Sequence, residues 1–210
     1  MASGFRQVQA LANLHSLLPI TRAMPEPTHR TASPDFLLHI VSEIQDRRPA
    51  SILDIGSGAT TIWMAHALRH FGIPGKIVSI DHEEQFGEDT ARNLKKHGMD
   101  DIAEVRIAPL VEVEVRGEKR HWYDPKQLDD VKDCPMVAID GPPGFLHPLS
   151  RYPALPIISS KVSRDGWIFM DDASRPDELE IVELWCREYP EWSSDYIEHE
   201  KGTAVLTRRH

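Results

Sequence analysis

The feature that most constrains the fold is a regular alternation of short apolar segments with helical segments. Each apolar run is the length of one buried strand, and a segment with helical spacing separates most of the runs. The predicted strands are Ser51–Ile55, Lys76–Ile80, Ala103–Ile107, Pro135–Ile139 and Trp167–Met170. Strands that alternate with helices predict a parallel sheet covered by helices on both faces.

The two ends of the chain and one internal segment depart from this alternation. Asp195–His199 and Thr203–Thr207 predict an antiparallel hairpin at one edge, which gives an α/β fold with a seven-stranded, mostly parallel sheet. Residues 111–133 predict a hairpin extension of unknown use, with Tyr123 in the core. Residues 1–32 precede a domain at 33–210 and are expected to form a helix and loop, with a lid over the site favoured over an arm toward a second subunit or a disordered tail.

Composition excludes several classes of function. The net charge of −9 and the scattered basic residues argue against nucleic acid as a partner. The chain has no apolar run near the roughly 18 residues of a membrane helix, and Arg6 interrupts the N-terminus too early for a secretory signal. Cys134 and Cys186 form no disulfide framework, so we expect a cytoplasmic protein, and a homodimer is left open.

Acidic residues or glycines follow four of the five predicted strands. Ligands of open parallel sheets bind beyond the carboxyl ends of the strands, so these groups are expected to face one crevice. The residues at the strand ends are Asp54 and Gly56, Asp81, Ala108, Asp140, and Asp171 with Asp172.

The turn after the first strand predicts a nucleoside site. Gly56 and Gly58 allow the backbone to approach a ligand closely, and the next helix offers its N-terminal amides. Asp81 ends the second strand, where a carboxylate can accept both hydroxyls of an adenosine ribose. A turn of this kind also serves NAD enzymes, although their pattern requires a third Gly or Ala where this chain has Thr61.

Four motifs in order resemble those of class I S-adenosylmethionine-dependent methyltransferases, in particular the small-molecule and sugar O-methyltransferase branch. They are Leu53–Gly58, Val78–Asp81, Val137–Pro143 and Ile168–Asp172. The resemblance implies a Rossmann-like sheet of strand order 3-2-1-4-5-7-6. It also implies a site for the cofactor. Asp54, Gly56, Ser57 and Gly58 would hold the methionine part, and Asp81, with His82 adjacent, would hold the ribose. Ala108, Pro109 and Leu110 would border the adenine, with Asp140 nearby.

The resemblance extends to a magnesium site. Asp140, Asp171 and Asp172 are similar to the three ligands of catechol-type O-methyltransferases, and oxygen ligands suit a hard divalent cation. Such an ion would lower the pKa of an acceptor hydroxyl and orient it. The alternative is that Asp140 is an ordinary acid at a strand end and Asp172 caps a turn. The chain also lacks the lysine base of the catechol branch, since no lysine lies between Asp140 and Lys161.

The remaining candidates are a base and substrate contacts. His147 lies on the loop after Asp140 and has a pKa range suited to removing a hydroxyl proton, although an exposed loop histidine is an equal alternative. Arg151, Tyr152 and Arg175 could bind a polar or anionic acceptor.

Together these features predict a methyltransferase that acts on an oxygen of a small hydroxylated acceptor, a sugar or secondary metabolite, with Asp140, His147 and Asp172 as catalytic candidates. The rivals are a nicotinamide-dependent oxidoreductase on the same fold and a non-catalytic protein that retains the cofactor fold.

Overall fold

The computed structural model describes residues 2–28 and 30–209 and contains a single seven-stranded sheet with helices on both faces. Its order is β3-β2-β1-β6-β7-β9-β8, and a separate two-stranded sheet pairs β4 with β5. Without that hairpin, the seven strands run in the order 3-2-1-4-5-7-6, as predicted. The strands are β1 (Ser51–Ile55), β2 (Lys76–Asp81), β3 (Ala103–Ile107), β4 (Leu110–Val115), β5 (Glu118–Tyr123), β6 (Cys134–Ile139), β7 (Val162–Asp171), β8 (Trp192–Ile197) and β9 (Thr203–Arg208).

Residues 2–28 and 30–209 also contain six α-helices and a short 3-10 helix, of which the first two α-helices precede the first strand. They are α1 (Ala2–Leu17), α2 (Pro34–Arg47), α3 (Ala59–His70), α4 (Glu84–His97), α5 (Ala154–Ile158) and α6 (Pro176–Glu188), with the 3-10 turn at Pro125–Leu128. Pro34 occupies the first turn of α2, where its missing N–H costs no hydrogen bond. None of the helices in the described ranges has the length and apolar character needed to cross a bilayer.

The core consists of two apolar layers, one on each face of the sheet. Successive residues of β6 alternate between them, since Met136 and Ala138 pack on the side of α1 to α4 while Val137 and Ile139 pack on the side of α5 and α6. This alternation follows from the two-residue period of a strand. The sheet is therefore buried on both faces, which leaves the carboxyl ends of its parallel strands as the place where polar side chains converge.

The hairpin predicted within 111–133 is present and belongs to the second layer. The β4 and β5 strands pair from Leu110 with Tyr123 to Val115 with Glu118. Trp122 is buried in the same layer as Trp185, so the hairpin covers one face of the sheet. The N-terminal segment also packs on the domain, because Leu14 and Leu18 are buried in the layer that contains Phe36.

Candidate active site

A cavity of about 630 Å³ opens above the carboxyl ends of the central strands. Its walls come from the turns after β1, β2, β6 and β7, from α4 and from the N-terminal loop. The predicted site residues that line it are Gly56, Ser57, Gly58, Asp81, His82, Asp140, Arg151, Asp172 and Arg175. The expected convergence of strand ends on one crevice is thus present.

The glycine turn after β1 lies against the end of β6. Gly56 has a φ of +106°, and a Cβ built on it would lie 3.0 Å from both the carbonyl carbon of Asp140 and the amide nitrogen of Gly141. Only a glycine combines this backbone conformation with so close an approach. The turn and the Asp140 loop therefore form one continuous wall of the cavity.

Asp54 lies behind the turn and not in the cavity. Its Oδ2 accepts hydrogen bonds from the Thr61 hydroxyl (2.5 Å) and the Ser79 hydroxyl (2.8 Å), and Thr61 Oγ1 in turn accepts one from the Gly58 amide (3.0 Å). Complete burial raises the pKa of Asp54 to about 7, against the lowering by these two hydroxyls. Asp54 therefore supports the glycine turn through Thr61, and its predicted contact with the methionine part stays a prediction.

Asp81 stands at the end of β2 on the opposite side of the turn. Its Oδ2 accepts a hydrogen bond from the Ser57 hydroxyl (2.7 Å), and its Oδ1 accepts one from the Glu83 amide (3.0 Å). Burial raises the pKa of Asp81, while these hydrogen bonds act to lower it. Ser57 and Asp81 are thereby fixed together at one end of the cavity.

The expected border of the adenine at Ala108, Pro109 and Leu110 differs in the structure, because none of the three lines the cavity. Ala108 is fully buried, and its amide donates a hydrogen bond to the Asp81 carbonyl (2.7 Å). Tyr123, at the end of β5, faces the cavity in their place. The β4–β5 hairpin inserts this side chain between the β2 end and the Asp140 loop.

Tyr123 was expected in the core, and it is both buried and part of the cavity wall. Its hydroxyl lies so close to Gly141 that a Cβ on that glycine would come within 2.2 Å of it. Its ring packs edge-on against His82 at 5.8 Å between centroids. Burial and the nearby Asp81 raise its pKa well above its usual range, so the phenol stays neutral.

Arg151 joins the acids at the other end of the cavity. Its side chain is 2% exposed, and Nη2 donates to Asp140 Oδ1 (3.1 Å) and Asp172 Oδ2 (2.8 Å). Nη1 donates to the Asp171 carbonyl (2.8 Å), and Nε lies 3.7 Å from Glu178 Oε1. Arg151 was expected to bind substrate, but most of its hydrogen-bonding capacity is used inside the protein.

The three expected magnesium ligands do meet. One carboxylate oxygen from each of Asp140, Asp171 and Asp172 lies within 4.8 Å of the others. However, the Arg151 guanidinium is bonded to Asp140 and Asp172. Arg175 Nη2 lies 2.9 Å from the second oxygen of Asp172. Arg151 thus occupies Asp140 Oδ1 and Asp172 Oδ2, and Arg175 faces Asp172 Oδ1, so a divalent ion would lie directly beside two guanidinium groups, and the residues present do not fit it.

Asp171 occupies a different position from its two neighbours. It is fully buried, lies outside the cavity lining, and neither carboxylate oxygen has a hydrogen-bond partner within the described part of the chain. Burial raises its pKa, as do the nearby charges of Asp140 and Asp172. Burial also raises the pKa of Asp140, although Arg151 opposes that change.

Two of the remaining candidates lie outside the cavity. The Tyr152 hydroxyl donates to Glu188 Oε2 (2.5 Å) on α6, which directs the ring away from the acids. His147 is half-buried on the loop, near His121 of the β4–β5 hairpin. The structure therefore supports neither Tyr152 as a substrate contact nor His147 as the base, because neither side chain reaches the cavity.

The N-terminal segment supplies part of the cavity wall that the sequence did not specify residue by residue. Pro25, Glu26, Thr28, Arg30 and Thr31 line the cavity. The Arg30 guanidinium lies 4.9 Å from the Phe86 ring centroid and 5.5 Å from that of Phe145, and it pairs with Glu83 at 2.9 Å.

Lys201 also lines the cavity, from the β8–β9 turn, and its Nζ donates to the Thr31 carbonyl (3.0 Å). Neither Lys201 nor Arg30 stood in a recognisable motif. The interruption of the strand–helix alternation at 111–133 was the one signal for Tyr123.

A Rossmann-like sheet with a glycine turn, an acid after β2 and a cavity at the strand ends is typical of nucleoside-binding α/β proteins. The family of the chain follows from its sequence: residues 53–173 match the model described as "Methyltransferase domain". That match covers more than half of the chain, which belongs to this family. No curated protein matches the chain.

Solved structures with the same fold are methyltransferases at low sequence identity. The SAH-bound methyltransferase PaMTH1 of Podospora anserina has a TM-score of 0.68 and 15% identity, over 96% of this chain and 88% of that one. The O-methyltransferase of Bacillus cereus in complex with SAH has a TM-score of 0.66 and 13% identity, over 97% of this chain and 91% of that one. A third structure is TomG of Streptomyces achromogenes, an O-methyltransferase involved in tomaymycin synthesis, in complex with SAM. It has a TM-score of 0.63 and 16% identity, over 96% of this chain and 90% of that one.

Proposed function

We propose that the protein transfers a methyl group from S-adenosylmethionine to an oxygen of a small hydroxylated acceptor. One observation carries this proposal: the glycine turn and Asp81 line the same cavity as Asp140 and Asp172. The family match and the SAH- or SAM-bound neighbours support the choice of cofactor.

In this proposal the cofactor lies along the wall formed by the glycine turn. Gly56, Ser57 and Gly58 bind the methionine part through backbone groups at the N-terminus of α3. Asp81 accepts hydrogen bonds from the ribose, and His82 with Tyr123 borders the base. Bound S-adenosylmethionine supplies an electrophilic methyl group, which leaves the sulfur and bonds to the acceptor oxygen.

Asp140 is the residue best placed to accept the proton of the acceptor hydroxyl. Arg151 donates a hydrogen bond to Asp140 Oδ1. Asp140 Oδ2 has no hydrogen-bond partner among the residues described, and the Asp140 side chain lines the cavity. Fixing one oxygen orients the other, so the base needs little reorganisation when an acceptor binds. His147 is not part of this proposal because it does not reach the cavity, and magnesium is not part of it because the residues present do not fit the ion.

A small acceptor agrees with the enclosed site and with the overall charge. A net charge of −9 disfavours nucleic acid, and an acid-lined cavity suits an acceptor that donates hydrogen bonds through hydroxyls. The cytoplasmic location belongs to the same proposal, as does an N-terminal lid. We propose as the lid the loop that carries Arg30, whose guanidinium lies near the Phe86 and Phe145 rings in the cavity wall.

Transfer of labelled methyl from S-adenosylmethionine to a panel of sugars, catechols and other hydroxylated compounds tests the proposal. We expect at least one labelled product, and Asp140→Asn should lower kcat at least a hundredfold while SAH binding is retained. Asp195→Asn, on the exposed face of β8, is the matched control and should leave kcat unchanged.

The two rival functions predict different results in the same assay. An oxidoreductase would bind NAD and not SAH, whereas a non-catalytic protein would give no turnover on the panel even if it binds SAH. Either result would contradict the proposed function.

A further inference from the structure

The guanidinium of Arg151 sits among the acids of the candidate active site. Asp140 and Asp172 both accept from the same nitrogen, Nη2, at 3.1 and 2.8 Å. Nη2 also donates to the Asp140 carbonyl at 3.0 Å. The two carboxylates that a divalent ion would bridge are therefore already bridged by an N–H group of the protein.

The other nitrogens of Arg151 fix the orientation of this bridge. Nη1 donates to the Asp171 carbonyl (2.8 Å), and Nε donates to the Pro142 carbonyl (3.4 Å). A planar guanidinium held at all three nitrogens has one orientation only. Its side chain is 2% exposed, so leaving this position would break these hydrogen bonds and leave the carboxylates of Asp140 and Asp172 without their shared cation.

The charges of the surrounding groups are almost balanced without an added ion. Four buried or partly buried carboxyl groups meet three cationic side chains. The carboxyl groups are those of Asp140, Asp171, Asp172 and Glu178, and the cations are Arg151, Arg175 and Lys201. Adding a divalent cation beside the fixed guanidinium would bring like charges together next to Arg151 and Asp172, which are buried and therefore poorly screened by water.

We propose that the Arg151 guanidinium is the built-in cation of this site, that it takes the place of a divalent metal, and that the protein orients its acceptor without one. Arg151 acts as a positioning residue: it holds Asp140 Oδ1 and leaves Asp140 Oδ2 directed to the acceptor hydroxyl. This role in catalysis rests on the proposed function, whereas the claim that the arginine excludes metal does not.

Metal binding by the wild-type protein gives the first test. Titration with Mn²⁺, followed by electron paramagnetic resonance of the free ion, should show no stoichiometric binding at micromolar concentrations. Turnover in the methyl-transfer assay should be the same with EDTA and with added Mg²⁺. Stoichiometric binding of Mn²⁺ at micromolar concentration, or loss of turnover in EDTA that Mg²⁺ restores, would overturn the inference.

Removing the arginine gives the second test, because it should create the metal site that the wild type lacks. Arg151→Met frees oxygens of Asp140 and Asp172 beside Asp171, and we expect Mn²⁺ affinity to rise at least tenfold over that of wild type. Arg151→Lys keeps a cation there and should not gain metal affinity. Arg187→Met, whose side chain is 70% exposed at the end of α6, is the matched control.

A purely structural role of Arg151 would destabilise the methionine variant without any gain in metal affinity, and that result would contradict the inference. If Arg151→Met fails to fold by circular dichroism with and without Mn²⁺, the wild-type titration decides. Should methyl transfer be absent under every condition, the proposed function fails, and the Mn²⁺ titrations still decide whether the arginine takes the metal's place.

Discussion

Replacing Gly56 with alanine tests how closely the glycine turn and the Asp140 loop depend on each other. The residue has a φ of +106°, where an L-residue costs about 1–3 kcal/mol. The new Cβ would also lie 3.0 Å from two backbone atoms and 3.2 Å from the Asp140 carbonyl oxygen. These are backbone atoms at the end of a central strand, so relieving the overlap should cost a further 1–3 kcal/mol or so.

Gly72→Ala is the matched control, because it adds the cost of a positive φ without an overlap of the new Cβ with other atoms. Gly72 has a φ of +60°, and nothing lies within 4 Å of its built Cβ. We expect the control to lower the free energy of unfolding by about 1 kcal/mol and Gly56→Ala to lower it by about 2–6 kcal/mol. Urea denaturation measures both values, and the slope of unfolding free energy against urea should stay unchanged.

Cofactor affinity should separate the two variants more clearly than stability does. Gly56→Ala displaces the wall against which the methionine part is proposed to lie, so calorimetric titration with SAH should show at least a tenfold weaker affinity. Gly72→Ala should bind SAH as the wild type does. Equal losses of stability in the two variants, together with unchanged SAH affinity in Gly56→Ala, would refute this reasoning.

Three further changes test separate parts of the site. The folded state raises the pKa of Asp54 to about 7, so the protonated form of this carboxyl favours folding. The free energy of unfolding of the wild type should therefore fall by up to about 4 kcal/mol as the pH rises from about 4 to 7. Urea denaturation at several pH values should show a smaller fall for Asp54→Asn. Tyr123→Phe removes a hydroxyl that has no protein partner in the described ranges, so the melting temperature should stay unchanged. Calorimetry should show an SAH affinity about threefold to tenfold lower than that of the wild type. An unchanged affinity would show that Tyr123 does not contact the cofactor. Arg30→Ala should speed SAH release several-fold in stopped-flow displacement, whereas Arg22→Ala, exposed on the same segment, should not.

The sheet was predictable because its signals are local. Each of the five predicted parallel strands is a short, largely apolar segment of four or five residues, and the resemblance to a known family supplied the order of the strands. The same locality explains why Gly56, Gly58, Asp81, Asp140 and Asp172 were placed correctly at the cavity. Strand ends in a parallel sheet share one edge, so a position in the sequence fixes a position in space.

The sequence did not specify the contacts of side chains whose partners lie far along the chain. Arg151 and Tyr152 are adjacent, yet one bonds Asp172 and the other Glu188, which lie 21 and 36 residues away. No spacing rule separates these two destinations. Tyr123 reaches the cavity because a hairpin outside the repeating pattern carries it there, which displaces the expected role of Ala108, Pro109 and Leu110.

The most direct test of the whole account is a calorimetric titration of the wild-type protein with SAH, with NAD as the parallel titrant. We predict saturable binding of one SAH per chain, competed by S-adenosylmethionine and weakened by Asp81→Ala, and no heat of binding with NAD. Binding of NAD with no binding of SAH would show that the cavity serves another nucleotide and would contradict the assignment.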